Sequence, residues 1–121
     1  LKPAKDKVLI FGLNYERDDF VKELKGKFYK TSKGYDSYEI FDVEASFIFK
    51  IAIVVVEVFQ FTHADPLIGF EQVFMDLVKD EVTITIGWDI WSGCFVTAND
   101  PKGGAWILQI GNYLDGQLNS L

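Results

Sequence analysis

Residues 47–61 read FIFKIAIVVVEVFQF, an apolar run with neither glycine nor proline, interrupted only by Lys50, Glu57 and Gln60. A bilayer span needs about 20 predominantly apolar residues, so the run reads as core rather than membrane. It is also longer than an ordinary strand of about 5 or 6 residues, and the expectation is one long, bent strand. In an extended chain alternate residues share a face, so Phe47, Phe49, Ile51, Ile53 and Val55 would be followed by Glu57 on the same apolar side. A bulge at residues 54–56 would turn Glu57 away. The other solution is a buried carboxylate with a raised pKa, a functional candidate in its own right.

Upstream of this run, residues 8–13 (VLIFGL) form a continuous apolar stretch, the signature of a strand buried on both faces and central in its sheet. Asn14 can cap a helix over residues 16–30, with Glu16, Asp18 and Asp19 at its amino end and Phe20, Val21, Leu24 and Phe28 as its apolar stripe. Residues 37–45, with four acids and two aromatics among residues 36–45, suit an edge strand. Downstream, Asp65-Pro66 is a helix start followed by Leu67, Phe70, Val73, Phe74, Leu77 and Val78 at helical spacing, which predicts a helix ending near Lys79. Residues 81–91 alternate as a strand. Ser92-Gly93 is a two-residue turn into residues 94–98, with Ile90 opposite Phe95 and Trp91 opposite Cys94. Asp100-Pro101 opens a last helix whose stripe is Trp106, Ile107, Ile110 and Leu114.

The expected class is α+β, with a mostly antiparallel five-stranded sheet and three helices in the order β-α-β-β-α-β-β-α. The first six elements resemble the split βαβ arrangement of the ferredoxin-like superfold, extended by a hairpin strand and a C-terminal helix. That resemblance is one of architecture and implies no activity.

The 121 residues are expected to form a single domain, long enough to bury a core without metal or disulfide staples. Cys94 is the one cysteine, and the opening LKPAKDKVLIFGL has no long apolar signal core, so the expected home is a reducing cytoplasm. The formal charge of −6 arises in the second half: residues 61–121 carry eight acids against Lys79 and Lys102, while residues 1–60 are balanced. An acidic chain is repelled by nucleic acid and anionic lipid unless it offers a basic patch. The one basic stretch, Lys22, Lys25, Lys27, Lys30 and Lys33 with Phe28, Tyr29 and Tyr35, reads as a solvated helix face, making nucleic acid an unexpected partner.

Catalytic constellations are sparse. His63 is the single histidine, so any triad or multi-histidine metal site must be built around it. Cys94 lacks a cationic neighbour to activate its thiol. Asp42 with Glu44, and Asp18 with Asp19, are carboxylate pairs with structural explanations, as an edge-strand guard and a helix-dipole complement. The glycine-rich PKGGAW segment lacks the phosphate-loop pattern. No cofactor and no metal site is expected.

What remains is a polar, acidic surface. The reading is a non-enzymatic domain that binds a cationic protein partner through Asp76, Asp80, Glu81 and Asp89, with Trp91 as apolar anchor. In size, charge and missing chemistry the chain is similar to immunity and inhibitor proteins that neutralise toxins, nucleases with basic clefts in particular. The alternative is a small ligand-binding domain or enzyme with a pocket between sheet and helices, using Glu57 or the Asp42/Glu44 pair. An oligomer, in which the basic part of one copy meets the acidic half of another, is a third arrangement.

Overall fold

The computed structural model describes the backbone of residues 7–10 and 13–16 and all atoms of residues 24–121. Two short strands, β1 (Lys7–Ile10) and β2 (Leu13–Glu16), pair antiparallel as a separate two-stranded sheet. The stretch expected to be a central strand therefore lies outside the main sheet. Of the helix expected over residues 16–30, residues 17–23 lie outside the described residues, and its end is strand β3 (Gly26–Lys30).

The main sheet has seven strands: β3, β4 (Asp36–Ile40), β5 (Thr62–His63), β6 (Leu67–Ile68), β7 (Gln72–Lys79), β8 (Val82–Asp89) and β9 (Gly93–Ala98). Their spatial order is β3-β4-β9-β8-β7, with β5 and β6 both pairing on the far side of β7. Every pair is antiparallel. The α+β class and the mostly antiparallel sheet hold. Five strands and three helices do not match the described residues, and four strands ahead of α1 depart from the βαββαβ order of the ferredoxin-like superfold.

The largest correction falls on residues 47–61, which form helix α1 (Phe47–Glu57) rather than a strand. Its buried residues are Phe47, Ile48, Ile51, Ala52 and Val55, the spacing of one helical face. Phe49 and Ile53 on the opposite side are apolar as well and remain exposed. An all-round apolar segment carries no period by which to tell helix from strand, which is why the alternation of odd positions misled. Gln60, with φ 62°, ends the run, and Phe61 is buried beyond it. No bulge is needed, because Glu57 closes the helix on its exposed side.

Residues 67–79 contain two strands and no helix. Val73, Met75 and Leu77 are buried while Gln72, Asp76 and Val78 are exposed, a period of two that competes in the same letters with the helical spacing of 70, 73, 74 and 77. Pairing along all of β8, from Gln72↔Asp89 to Lys79↔Val82, decides for the strand. Asp65 therefore caps no helix, and Pro66 precedes an edge strand, where its missing N–H costs least.

The expected edge strand is interior. Asp36–Ile40 lies between β3 and β9, and its one buried polar residue, Ser37, is satisfied by the Thr97 hydroxyl at 2.8 Å. β3 takes the edge, with Lys27 and Lys30 on it and Lys25 beside it, the charged guard expected of an exposed strand. Asp36 accepts from Lys30 Nζ at 2.6 Å.

The last helix forms as expected. Asp100 caps a short 3-10 turn over Pro101–Gly103, its carboxylate accepting from Gly103 N at 3.1 Å, and α2 (Gly104–Asp115) follows. α2 lies over β3, β4 and β9 while α1 lies over β8 and β5, so both helices cover one face of the sheet. Ile84, Ile86, Val96, Cys94, Ile107, Ile110 and Leu114 are fully buried between them. Trp106 of α2 meets Phe59 and Phe61 edge-on at 6.4 and 5.4 Å, with Lys79 Nζ 4.5 Å from its ring, which ties the end of α1 to α2.

No helix among the described residues is long and apolar enough to cross a membrane.

Candidate binding site

The β8–β9 connection sets the site. The expected two-residue turn is a three-residue loop, Ile90-Trp91-Ser92, with Trp88 opposite Cys94 and Asp89 opposite Gly93. The Asp89 carboxylate explains the slip, because its Oδ1 accepts from the amides of Trp91 at 2.9 Å and Ser92 at 2.6 Å and so closes the longer loop from within. The slip changes faces too: Cys94 joins the core and Phe95 moves to the side away from the helices. Trp88 faces the core, and its indole N–H donates to the Val43 carbonyl at 2.7 Å.

Trp91 stands at the tip of this loop, 75% exposed. The β6–β7 turn brings Phe70 beside it: Gly69 N–H donates to the Gln72 carbonyl at 2.7 Å, leaving Phe70 and Glu71 at the apex. Phe70 is fully exposed, and Leu67 and Ile68 behind it are each 73% exposed. Phe70, Glu71, Gln72 and Trp91 enclose a shallow hollow of about 310 Å³. On the side of the sheet away from α1 and α2, Phe74 and Phe95 meet over Gly87 with ring centroids 6.2 Å apart, and Leu67 pairs with Phe74.

The five residues singled out from sequence do not form one patch. Asp89 and Trp91 belong to the loop. Asp80, with φ 54°, and Glu81 form the β7–β8 turn at the other end of β8, about 25 Å away for an eight-residue strand. Glu81 lies 3.6 Å from Lys102 Nζ in an exposed pair. Asp76 points from the middle of β7 and accepts from Thr85 Oγ1 at 2.7 Å, with Asn99 bonded to the same hydroxyl. The residues missed from sequence are Phe70, Glu71, Leu67 and Ile68. Gly69 inside a supposed helix was the one local signal for the turn that displays them.

Glu39 faces the same side as Asp89. Burial raises its pKa, the nearby Asp89 charge raises it further, and a hydrogen bond with Ser37 opposes both. An acid with a raised folded-state pKa contributes stability at low pH that is lost as pH climbs through that pKa. Glu39→Gln, which cannot ionise, is therefore expected to match the wild type near about pH 4 and to be more stable near about pH 7. Urea midpoints at the two pH values measure this; a difference that does not grow with pH rules out the coupling.

The other chemistry-bearing residues are dispersed. Cys94 is buried, and burial pushes its thiol up to about 12, so it is no thiolate at neutral pH. Tyr38 is buried with its hydroxyl donating to the Asp115 carboxylate, and burial together with that carboxylate raises its pKa well above the ordinary phenol value. Asp42 and Glu44 border an open cleft of about 390 Å³ next to Lys50. Asp18 and Asp19 lie outside the described residues. The Asp36 carboxylate sits against Gly104, so the glycine-rich opening of α2 faces a negative charge. No group of three or more His, Cys, Asp or Glu among the described residues could hold a metal ion. One further groove, about 370 Å³, runs between α1 and the β5–β6 edge, with Glu57 and His63 among its lining residues.

Comparison of the chain with family models, with curated proteins and with solved structures returns no match, and its function is read from its own geometry.

Proposed function

We propose that this chain is a non-enzymatic protein-binding domain that docks a cationic partner through the end of the sheet formed by the Trp91 loop and the Phe70 turn. The observation that carries the reading is the pairing of Phe70 with Trp91 around a hollow whose charged member is Glu71, with Asp89 at the base of the loop. Large aromatics held outward by tight turns act as anchors, and the acids around them steer a basic surface and speed its encounter. A net charge of −6 extends that field. Asp76, exposed on the side away from the two helices, contributes to it. Asp80 and Glu81, at the far end of β8, act at long range only. An immunity or inhibitor protein, covering the basic cleft of a toxin or nuclease, is the biological role that fits an acidic surface with exposed aromatic anchors.

Affinity capture from the native cell with the wild type and with the Phe70→Ala/Trp91→Ala variant, followed by association kinetics on the protein recovered, tests the reading. The double variant is expected to bind about tenfold or more weakly, and the wild-type association rate is expected to fall as salt is added. Equal binding by the variant, or a rate indifferent to salt, would sink it.

A further inference from the structure

The groove between α1 and the β5–β6 edge has apolar walls: Phe49, Ile53 and Val56 from the helix, Pro66 and Met75 from the sheet. A helix lying on a sheet ordinarily turns polar on its outer side. Here Phe49 is 42% and Ile53 57% exposed, an apolar strip of the kind that marks a contact surface. Such open walls suit a side chain laid into the groove better than a small molecule, whose sites bury most of its surface. Glu57 supplies the groove's carboxylate and His63 its imidazole, and among the described residues no Lys or Arg lines it.

The hollow between Phe70 and Trp91 likewise sets one carboxylate, Glu71, beside large apolar side chains, with Gln72 as its other polar member and no Lys or Arg among the described residues that line it. Met75 lines the groove and Gln72 lines the hollow. Three residues along β7 at about 3.3 Å each place them about 10 Å apart, and the odd spacing turns them to opposite faces of the sheet, as side chains three apart in an extended segment are also turned. Residues 66–70 run from one to the other. The edge itself is poorly suited to adding a strand, because β6 is two residues long and Pro66 before it has no N–H to donate. Side chains, rather than backbone, must make the contact.

We infer that the groove is a second contact for the partner proposed above, receiving an apolar side chain from an extended cationic segment. A neighbouring Lys or Arg of that segment meets Glu57, and a second apolar side chain about three residues away meets Phe70 and Trp91. This rests on the partner-binding reading and adds the chemistry of what is bound. Charge selects the occupant: each cavity has a carboxylate that an acidic or uncharged segment would leave unpaired. A second copy carries the same −6, so its approach is opposed by charge.

The test uses the whole chain, 15N-labelled, titrated with the synthetic peptide GKLGKFKG, whose Leu and Phe are three positions apart. GELGEFEG and GKGGKGKG serve as controls. Amide resonances around Ala52 and Ile53 and around Phe70 and Trp91 are expected to shift with the first peptide and with neither control. Ile53→Lys, at an exposed position, is expected to weaken binding about fivefold or more and to abolish the shifts around Ala52 while leaving those at Trp91. Shifts confined to the Phe70–Trp91 end would overturn the groove contact and leave the partner reading standing. Shifts in the groove alone would sink the Trp91 anchor. Equal response to the acidic peptide, no response at either place, or groove resonances that move on dilution without peptide, as a self-associating chain would show, would each overturn the inference.

Discussion

Ile51→Ala is expected to destabilise the protein by about 2–5 kcal/mol, and Ile53→Ala by less than about 1 kcal/mol. Ile51 is fully buried against the sheet, whereas Ile53 is 57% exposed on the outer side of α1. The comparison is informative because the two positions are chemically identical and two residues apart. In a strand they would share a face and cost the same; in a helix they point roughly 200° apart, about 100° for each residue. Urea unfolding of both variants measures the difference. Equal losses would mean that residues 47–57 are not helical.

Gly93→Ala is the second large effect, expected at about 3 kcal/mol or more. Gly93 has φ 74°, and a Cβ there would run into the carbonyl oxygen of Ile40 and approach Phe41 Cα at 3.1 Å. Both obstacles are backbone, so relief requires β9 to move away from β4. Gly34 supplies the control. Its φ is 84° but nothing lies within 4 Å of the built Cβ, so Gly34→Ala should cost only the conformational part, about 1 kcal/mol. If the two alanines prove equally tolerated, the close approach of β4 and β9 is wrong.

Local signals carried the parts of the fold that could be read in advance. Asp100-Pro101 opens a helix, although the same pair at Asp65-Pro66 does not, and the alternation of Val82, Ile84, Ile86 and Trp88 has no helical rival. Residues 47–57 and 72–79 lack that clarity for opposite reasons. The first is apolar on every side and shows no period. The second satisfies two periods at once, and only the presence of β8 alongside chooses between them. Misassigning both exchanged a helix for a strand and a strand for a helix, so the class survived while the topology did not.

The same logic governs the site. Trp91 could be picked out because a tryptophan next to a Ser-Gly turn has few inward places to go. Phe70 could not, because its exposure follows from the β6–β7 turn, and that turn is invisible while residues 65–79 are read as a helix. The acids from 76 to 81 looked like one helix end. In a hairpin they separate, with Asp76 on a strand face and Asp80 and Glu81 at a turn far from Trp91.

The pairing of β4 with β9 also bears on how the chain reaches this structure. β7, β8 and β9 are joined by short turns and can zip sequentially, and β3 and β4 form their own hairpin. Ile40↔Cys94, by contrast, closes a loop containing α1 and four strands, so its chain entropy must be lost before any contact rewards it. The β3–β4 hairpin is thus expected to arrive late, docking on an already formed meander. A transition state of that kind would leave Gly93→Ala with a nearly unchanged folding rate and a much faster unfolding rate.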